Sequence, residues 1–526
     1  MDAATANVRT VSAHRLRIIC VNDIYSFDDF DANGPSRGGW SRASTLIKTL
    51  KQKCTIDASS SNAPSGTVLV TVNGDVLGGS SLLQHTKGEV AVEVMNSVPV
   101  DIAVLGNHEF DYGDEVLMDR IKESDCTWLG SNVYYMNKNN EKSYFPGVEG
   151  DGVIHTLNGD LKVGVFGLCT KETSKISVRL ADTLQYLVFD DIPLIHSSFL
   201  KYPSHKVSFD DDILVVSRKI CNNLRSRGAQ VVVAITHMSE TEDLKLANDE
   251  ESGVDLIVGG HEHEPFSNMV HRGENESQKD VFDLYQKHNQ GGVLVFKCGM
   301  NAYWVGTVDL DIEYERSLVS NSQSNQEQTR VTSISTSWAM HSISSQTPEN
   351  PQVSEIVRRH RSDTEQKMLV ASFGEDIAPQ LNLDSVLATI ETSNNLMHAI
   401  LPLDTRMSSV RKREATGGNF VADAMQSMLA KNIQPVYFAL PMLAMINGGF
   451  IRADRLYQPG SDFTVRHLLK ELPFPVGMVV LKLEGKHLKD ALAQQLKGSS
   501  RGPTGKLNPS VTTTISHIHP SLFAVL

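Results

Sequence analysis

The amino-acid sequence predicts an α/β protein of two domains, and three observations carry that expectation. The chain has 526 residues, too many for one typical domain, with apolar and charged shares of 40% and 21% that suit an ordinary buried core. Short β-branched runs ending in polar or glycine-rich punctuation alternate with helical stretches, the rhythm of largely buried sheets. A stretch rich in Ser, Gln, Asn and Thr, from about Ser317 to Gln352, interrupts this rhythm before it resumes.

Taken in order, the strand candidates of the first domain are Leu16–Val21, Thr67–Val72, Ile102–Leu105, Leu161–Phe166, Val231–Ile235, Leu256–Val258 and Gly292–Phe296. Helical patterns lie between them at Arg42–Lys51, Val90–Ser97 and Asp212–Arg227. The polar stretch reads as strand remnants, exposed loop and linker, and the charged, helix-compatible Ser354–Lys367 is suited to bridging domains. A second α/β segment follows, with strand candidates at Val436–Leu440 and Met478–Leu483. The expected division is a first domain over residues 1–345, a linker helix over 346–368 and a smaller domain over 369–526.

Charge and composition narrow the function. A formal net charge of −13 argues against a nucleic-acid surface, which needs a basic stripe, but leaves room for a small anion held by metals and a few arginines. The N-terminus lacks an apolar signal core, and no run reaches the roughly 20 apolar residues of a membrane helix. The expectation is a cytoplasmic protein without a membrane span. None of the six cysteines forms a CxxC pair and several sit in apolar runs, so they read as buried free thiols.

Five short blocks carry chemistry: NDIY at 22–25, NGDVLGG at 73–79, GNHEFDYG at 106–113, THM at 236–238 and GGHEHE at 259–264. Asp23, Asp75, Asn107, His237 and His261 each stand just beyond or near the C-terminal end of a predicted strand, the edge where α/β sheets bind ligands. Singly, each block is weak: a GD after a strand is usually a turn, and a lone TH is usually a core or capped histidine. The third block differs, because Asn, His and Asp share one glycine-bounded loop. All five in order, at strand ends, point to a cluster of metal ligands. A phosphomonoester dianion repels anionic nucleophiles, and two metals about 3.5–4 Å apart supply both a charge clamp and an activated water. Asp, Asn and His ligands suit zinc, manganese or iron better than magnesium.

The order of these blocks resembles the calcineurin-like metallophosphoesterases, and GNHEFDYG resembles the 5'-nucleotidase branch, over roughly Arg15 to Ile312. The resemblance implies a four-layer αββα sandwich, two divalent or mixed-valence transition metal ions (Zn, Mn or Fe) and hydrolysis of a small phosphate ester such as a nucleotide. It implies Asp75 as the bridge between the ions. Asp23 and His263, with residue 25, would serve the first ion, and Asn107, His237 and His261 the second. His108 would act on the leaving oxygen, oriented by Asp111. Residue 25 departs from the pattern: the family's Asp-x-His is here Asp23-Ile24-Tyr25. Tyr25 is open to three readings: a phenolate ligand suited to ferric iron, a hydrogen-bonding group beside a ligand-poor first metal, or the mark of a weakened site.

Beyond the linker, RKREATGGNFVADAM (411–425), NGGFIR (447–452) and LPFPVGMVVLKLEGKHL (472–488) resemble the nucleotidase C-terminal domain. The resemblance implies Arg411, Asn447 and Arg452 on the phosphate and ribose side of a nucleotide and Phe474 stacked on its base. No counterpart of the family's second stacking aromatic follows, so a shortened domain is expected.

Overall fold

The computed structural model describes residues 10–27, 38–57, 65–137, 139, 141–157, 161–173, 206–210, 212–270, 285–288, 292–321, 324–390, 401–410, 415–432, 442–447, 450–472, 480–484, 511–513 and 521–525. The chain divides into two compact units, Met1–Arg361 and Ser362–Leu526.

In the first unit, alternation along the strand Thr10–Val21 decides what packs where. Successive side chains of a strand point to opposite faces, so Ile18 and Cys20 enter one core and Ile19 and Val21 another. The strand belongs to an eight-stranded sheet ordered Tyr285–His288, Ser324–Ser342, Trp304–Asn321, Thr10–Val21, Ser65–Val72, Ile102–Val104, Thr127–Leu129, Val148–Glu149. A six-stranded sheet is ordered Pro265–Val270, Val293–Cys298, Leu256–Gly259, Val231–His237, Leu161–Cys169, Val153–Leu157. Between the sheets, Leu16, Ile18, Leu69 and Val104 of the first meet Val163, Val233, Ile235, Leu256 and Phe296 of the second. Each such fully buried aliphatic side chain contributes roughly 1.5–3 kcal/mol relative to exposure.

Helices close the outer faces. Trp40–Asp57 and Glu89–Ser97 bring Ala43, Ile47, Val90 and Val94 into the core that holds Ile19, Val21 and Val70. On the other side, Ile213–Ser226 and Glu240–Asn248 bring Val216, Ile220 and Leu246 against Val232, Ala234 and Val295. Local chemistry sets where these helices begin. The Asp212 carboxylate accepts the N–H groups of Leu214 and Val215, and Ser239 and Glu242 form a reciprocal capping box. The product is the four-layer αββα sandwich, followed by a smaller α/β unit.

The strands and helices expected in the first domain are present, with ends shifted by a few residues. The polar stretch after Ser317 is a correction. Trp304–Asn321 and Ser324–Ser342 pair as one long antiparallel hairpin, with Val308 opposite Trp338 and Leu310 opposite Thr336. Trp338 and Thr336 are buried while alternate neighbours remain partly exposed, so a strand with one wet face passes for a loop by composition. The helix Pro351–Phe373 contains the expected Ser354–Lys367 helix, and the division between the two units falls inside it.

The second unit has a four-stranded sheet ordered Val480–Glu484, Ser521–Val525, Met442–Asn447, Val511–Thr513, with helices at Thr416–Asn432 and Val465–Glu471. Val480–Glu484 answers to the expected Met478–Leu483, whereas Val436–Leu440 lies outside the described residues. Among the described residues no helix is long and apolar enough to cross a membrane. Cys20, Cys126, Cys169, Cys221 and Cys298 are free thiols.

Candidate metal centre

Parallel pairing places the C-terminal ends of the central strands along one edge of each sheet. From the first sheet, the chain leaves Val21, Val72 and Val104 into the loops that carry Asp23, Asp75 and Asn107. In the second, His237 ends its strand and His261 follows Gly259 within two residues. The two edges are tied directly. His261 N–H donates to Asp23 Oδ2 at 2.8 Å, and His237 Nδ1 lies 2.8 Å from the backbone oxygen of Asn73. Gly74, at φ +83°, makes room for this, since a Cβ there would overlap the His237 ring.

Three of these residues hold backbone that side chains normally avoid: Asp23 at φ 53°, Asp75 at φ 55° and His261 at φ 74°. Such positions cost about 1–3 kcal/mol each and persist where the surroundings fix them. Here Asp23 N–H donates to Gly74 O and Ile24 N–H to Asp75 O, both at 3.1 Å, locking the first two loops together.

Asp75, His237 and His261 present ligand atoms that all lie within 4.8 Å of one another. A carbonyl oxygen only accepts, so the proton of His237 sits on Nδ1, facing Asn73, and Nε2 is the ring's remaining donor or ligand atom. His237 Nε2 is buried 3.2 Å from Asp75 Oδ2 without hydrogen-bond alignment to any described group, and Asn107 Oδ1 is likewise buried without a partner. A buried ring nitrogen held beside a carboxylate without hydrogen-bond alignment, with a second histidine close by, is a donor arrangement suited to a metal ion. The charges agree. Burial disfavours the His237 cation, yet Asp75 and Asp23 together lift its pKa to about 10. Burial also disfavours the Asp75 anion, but His237 and His108 outweigh it and hold that carboxyl well below its ordinary range. Asp23 is lowered against burial by His237 and His263. His261 is lowered by burial and by the neighbouring His237 charge. The site calls for a cation, and the clustered donor atoms of Asp75, His237 and His261 fit one.

Beside this set, the Tyr25 hydroxyl bonds Asp23 Oδ1 at 2.9 Å, Asp75 Oδ2 at 3.0 Å and His263 Nε2 at 3.1 Å. His263 Nε2 is 3.4 Å from Asp23 Oδ1. On the third side, His108 Nδ1 is 2.8 Å from Asp111 Oδ2, and His108 Nε2 points inward, 4.0 Å from Asp75 Oδ2. The carboxylate fixes the tautomer, with a proton on Nδ1 facing Asp111.

Several supporting residues escaped the sequence reading. Glu109 is buried, and its carboxylate accepts N–H bonds from Asp75, Val76, Leu77 and Gly106. Burial and the Asp75 charge raise its pKa against those bonds. Its place inside GNHEFDYG was the available signal. Lys297, wholly buried, donates to the Met238 oxygen at 2.6 Å and the Gly260 oxygen at 2.9 Å and pairs with buried Asp243 at 2.7 Å. A lysine inside the apolar run VLVFKC was its signal. Asn301 Oδ1 accepts the N–H groups of Tyr25 and Ser26, each at 3.0 Å.

Of the residues expected to contact a nucleotide, Arg411 and Phe474 lie outside the described residues. Asn447 ends the strand Met442–Asn447, and Arg452 is half-buried with its N–H donated to Glu471 O at 2.9 Å.

The chain is similar to known proteins in both sequence and fold. The calcineurin-like phosphoesterase family profile matches residues 16–265, and the profile of the 5'-nucleotidase C-terminal domain matches residues 387–520. Human 5'-nucleotidase is 23% identical over 506 residues, which cover 93% of this chain and 74% of that protein. The trifunctional nucleotide phosphoesterase protein YfkN of Bacillus subtilis is 24% identical over 458 residues, 82% of this chain. The match spans only 25% of that longer protein. The solved 5'-nucleotidase precursor from Thermus thermophilus shares the fold, with a TM-score of 0.61 at 20% identity, over 95% of this chain and 81% of that one.

Proposed function

Because the chain belongs to the calcineurin-like metallophosphoesterases and carries the C-terminal domain of the 5'-nucleotidases, we propose that it is a metal-dependent phosphomonoesterase for nucleoside 5'-monophosphates and related small phosphate esters. The observation that carries this reading is the His108–Asp111 pair, standing beside the ligand set of Asp75, His237 and His261. Asp75, Asn107, His237 and His261 are the residues we assign to metal, and the mixed Asp, Asn and His donors suit zinc, manganese or iron. Metal held there would supply positive charge against the phosphate dianion and acidify water near neutral pH.

The chain's own groups do the rest. Asp111 holds the Nδ1 proton of His108, which leaves Nε2 to hold a second proton for the departing ester oxygen, as a general acid does. Glu109 and Lys297 keep the ligand loops in place. The family resemblance supports Arg411, Asn447 and Arg452 on the phosphate and ribose side, where guanidinium forks suit phosphate, and Phe474 on the base.

Phosphate release from a panel of nucleoside monophosphates, sugar phosphates and phosphoglycerates tests this, with and without chelator and for Asp75→Asn. Nucleoside 5'-monophosphates are expected to be hydrolysed, and both chelation and Asp75→Asn to abolish turnover. Full activity in stripped protein, or a panel in which nucleotides are the poorest substrates, would overturn it.

A further inference from the structure

Asp23, which the family resemblance gives to the first ion, has one carboxylate oxygen already engaged. Its Oδ2 accepts Asn22 Nδ2 at 2.7 Å and the His261 N–H at 2.8 Å, and Oδ1 is the atom that faces Tyr25 and His263. Where Oδ1 points follows from the backbone that carries it, and that backbone is in the left-handed region at φ 53°.

The segment Asp23–Ser26 belongs to no helix or strand, so its N–H groups need partners from elsewhere. Those of Asp23 and Ile24 go to the oxygens of Gly74 and Asp75. Those of Tyr25 and Ser26 both go to Asn301 Oδ1, each at 3.0 Å. Two N–H donors on one atom also settle which end of the amide faces the loop. Asn301 acts through its main chain as well: its N–H donates to Asp23 O at 2.9 Å, and its oxygen accepts Gly39 N–H at 2.9 Å. Peptide units are planar, so the Gly74 bond fixes the unit before the Asp23 Cα and the Asn301 bond the unit after it. Together they set the φ and ψ of Asp23.

The residue type suits the place. Asn301 is buried three residues past the strand Val293–Cys298, at φ 52°, where asparagine is among the few side chains tolerated. Glycine would take that backbone too, but would offer Tyr25 and Ser26 no acceptor.

We propose that Asn301 is a positioning residue for the metal centre, holding the Asp23–Ser26 loop in the conformation that presents Asp23 Oδ1 to an ion. The inference rests on the metal centre proposed above and adds to it a residue from outside the five sequence blocks.

Manganese titration of the full chain, read from the paramagnetic resonance signal of unbound Mn(II), tests the proposal alongside thermal melts. Asn301→Gly keeps the left-handed backbone and its main-chain bonds and removes the side-chain acceptor. The expected result is a folded variant that needs about 10–100-fold more manganese to fill, the usual cost of losing a group that orients a ligand. Asn301→Asp returns an oxygen to the same place and is expected to restore the parent's affinity. A purely structural role would lower Tm and leave affinity alone. Parent affinity in the glycine variant, or a loss that aspartate does not repair, overturns the proposal. Should the glycine variant not fold, the aspartate variant still decides, since reduced affinity in it overturns the proposal and parent affinity upholds it. A parent that binds no manganese is a different failure, because it removes the metal centre and the proposal with it.

Discussion

Glu109 Oε2 accepts the backbone N–H of Asp75 at 2.9 Å and that of Gly106 at 2.7 Å, so one buried carboxylate pins the Asp75 loop to the loop bearing Asn107 and His108. Its other oxygen takes Val76 N–H at 2.7 Å and Leu77 N–H at 3.2 Å. Glu109→Gln keeps the size but turns an NH2 toward donors. Hydrogen bonds to charged groups are worth about 1.5–3 kcal/mol each, so a lower Tm is expected. Metal affinity should fall about 10–100-fold, as for other groups that orient ligands. Thermal melts and metal titration read the two effects, and unchanged metal affinity would make Glu109 merely structural.

His108 separates chemistry from binding. His108→Ala should lower kcat by about 10²–10⁴, the usual share of a positioned acid–base group, while elemental analysis finds the parent's metal content. Asp111→Asn should retain the metal and show a smaller loss, since the ring keeps its place and loses its counter-charge. Loss of metal from the alanine variant would make His108 a ligand.

Lys297 and Asp243 form a buried ion pair at 2.7 Å behind the His237 and His261 loops. Removing one partner of such a pair costs about 3–5 kcal/mol, because the other charge is stranded. Lys297→Met should therefore shift the urea midpoint sharply downward, and adding Asp243→Asn should recover part of the shift. If Lys297→Met alone leaves the midpoint unchanged, the pair is not what holds those loops.

Glu471, in the second unit, gives a pH signature. It accepts Thr405 Oγ1 at 2.6 Å and Tyr457 OH at 2.8 Å, and burial outweighs these bonds to raise its pKa from 4.5 to about 7. A raised carboxyl pKa means that the folded state binds the proton more tightly. Its contribution is full below about pH 4.5 and is lost as pH rises through about 7. The change over that window is roughly 3 kcal/mol at most. Glu471→Gln should flatten the pH dependence of the unfolding transition assigned to this unit, measured by denaturant melts from pH 5 to 8. An unaltered slope would show that the carboxyl is not the titrating group.

The sandwich was legible in the sequence, as was the placing of Asp75 and His237 at strand ends, because both rest on local signals. Apolar runs such as Val231–Ile235 announce strands, and short loops at their ends place Asp75 or His237 by chain geometry alone. The long hairpin was hidden, since Ser and Thr pair as readily as Val in a ladder and only the neighbouring strand decides that they do. Glu109 and Lys297 were hidden differently: apart from the Asp243 carboxylate on Lys297, the partners named for them are backbone atoms, which leave no trace in residue identity. Tyr25 could be flagged as a departure, but whether its oxygen falls among ligand atoms or outside them depends on packing against Gly79, His108 and His263.

His261 N–H meets Asp23 Oδ2 across 238 residues of sequence. During synthesis, the first half of the centre leaves the ribosome long before the second exists, so the nascent chain offers an ion only scattered carboxylates and amides. Capture has to wait for the sheets to dock, which puts it after the slow, non-local step of folding. Once made, the bond between ion and protein acts as a latch on that docking, deepening stability by RT ln(1 + [metal]/Kd). Metal supply then governs how long the finished chain survives as well as how fast it works.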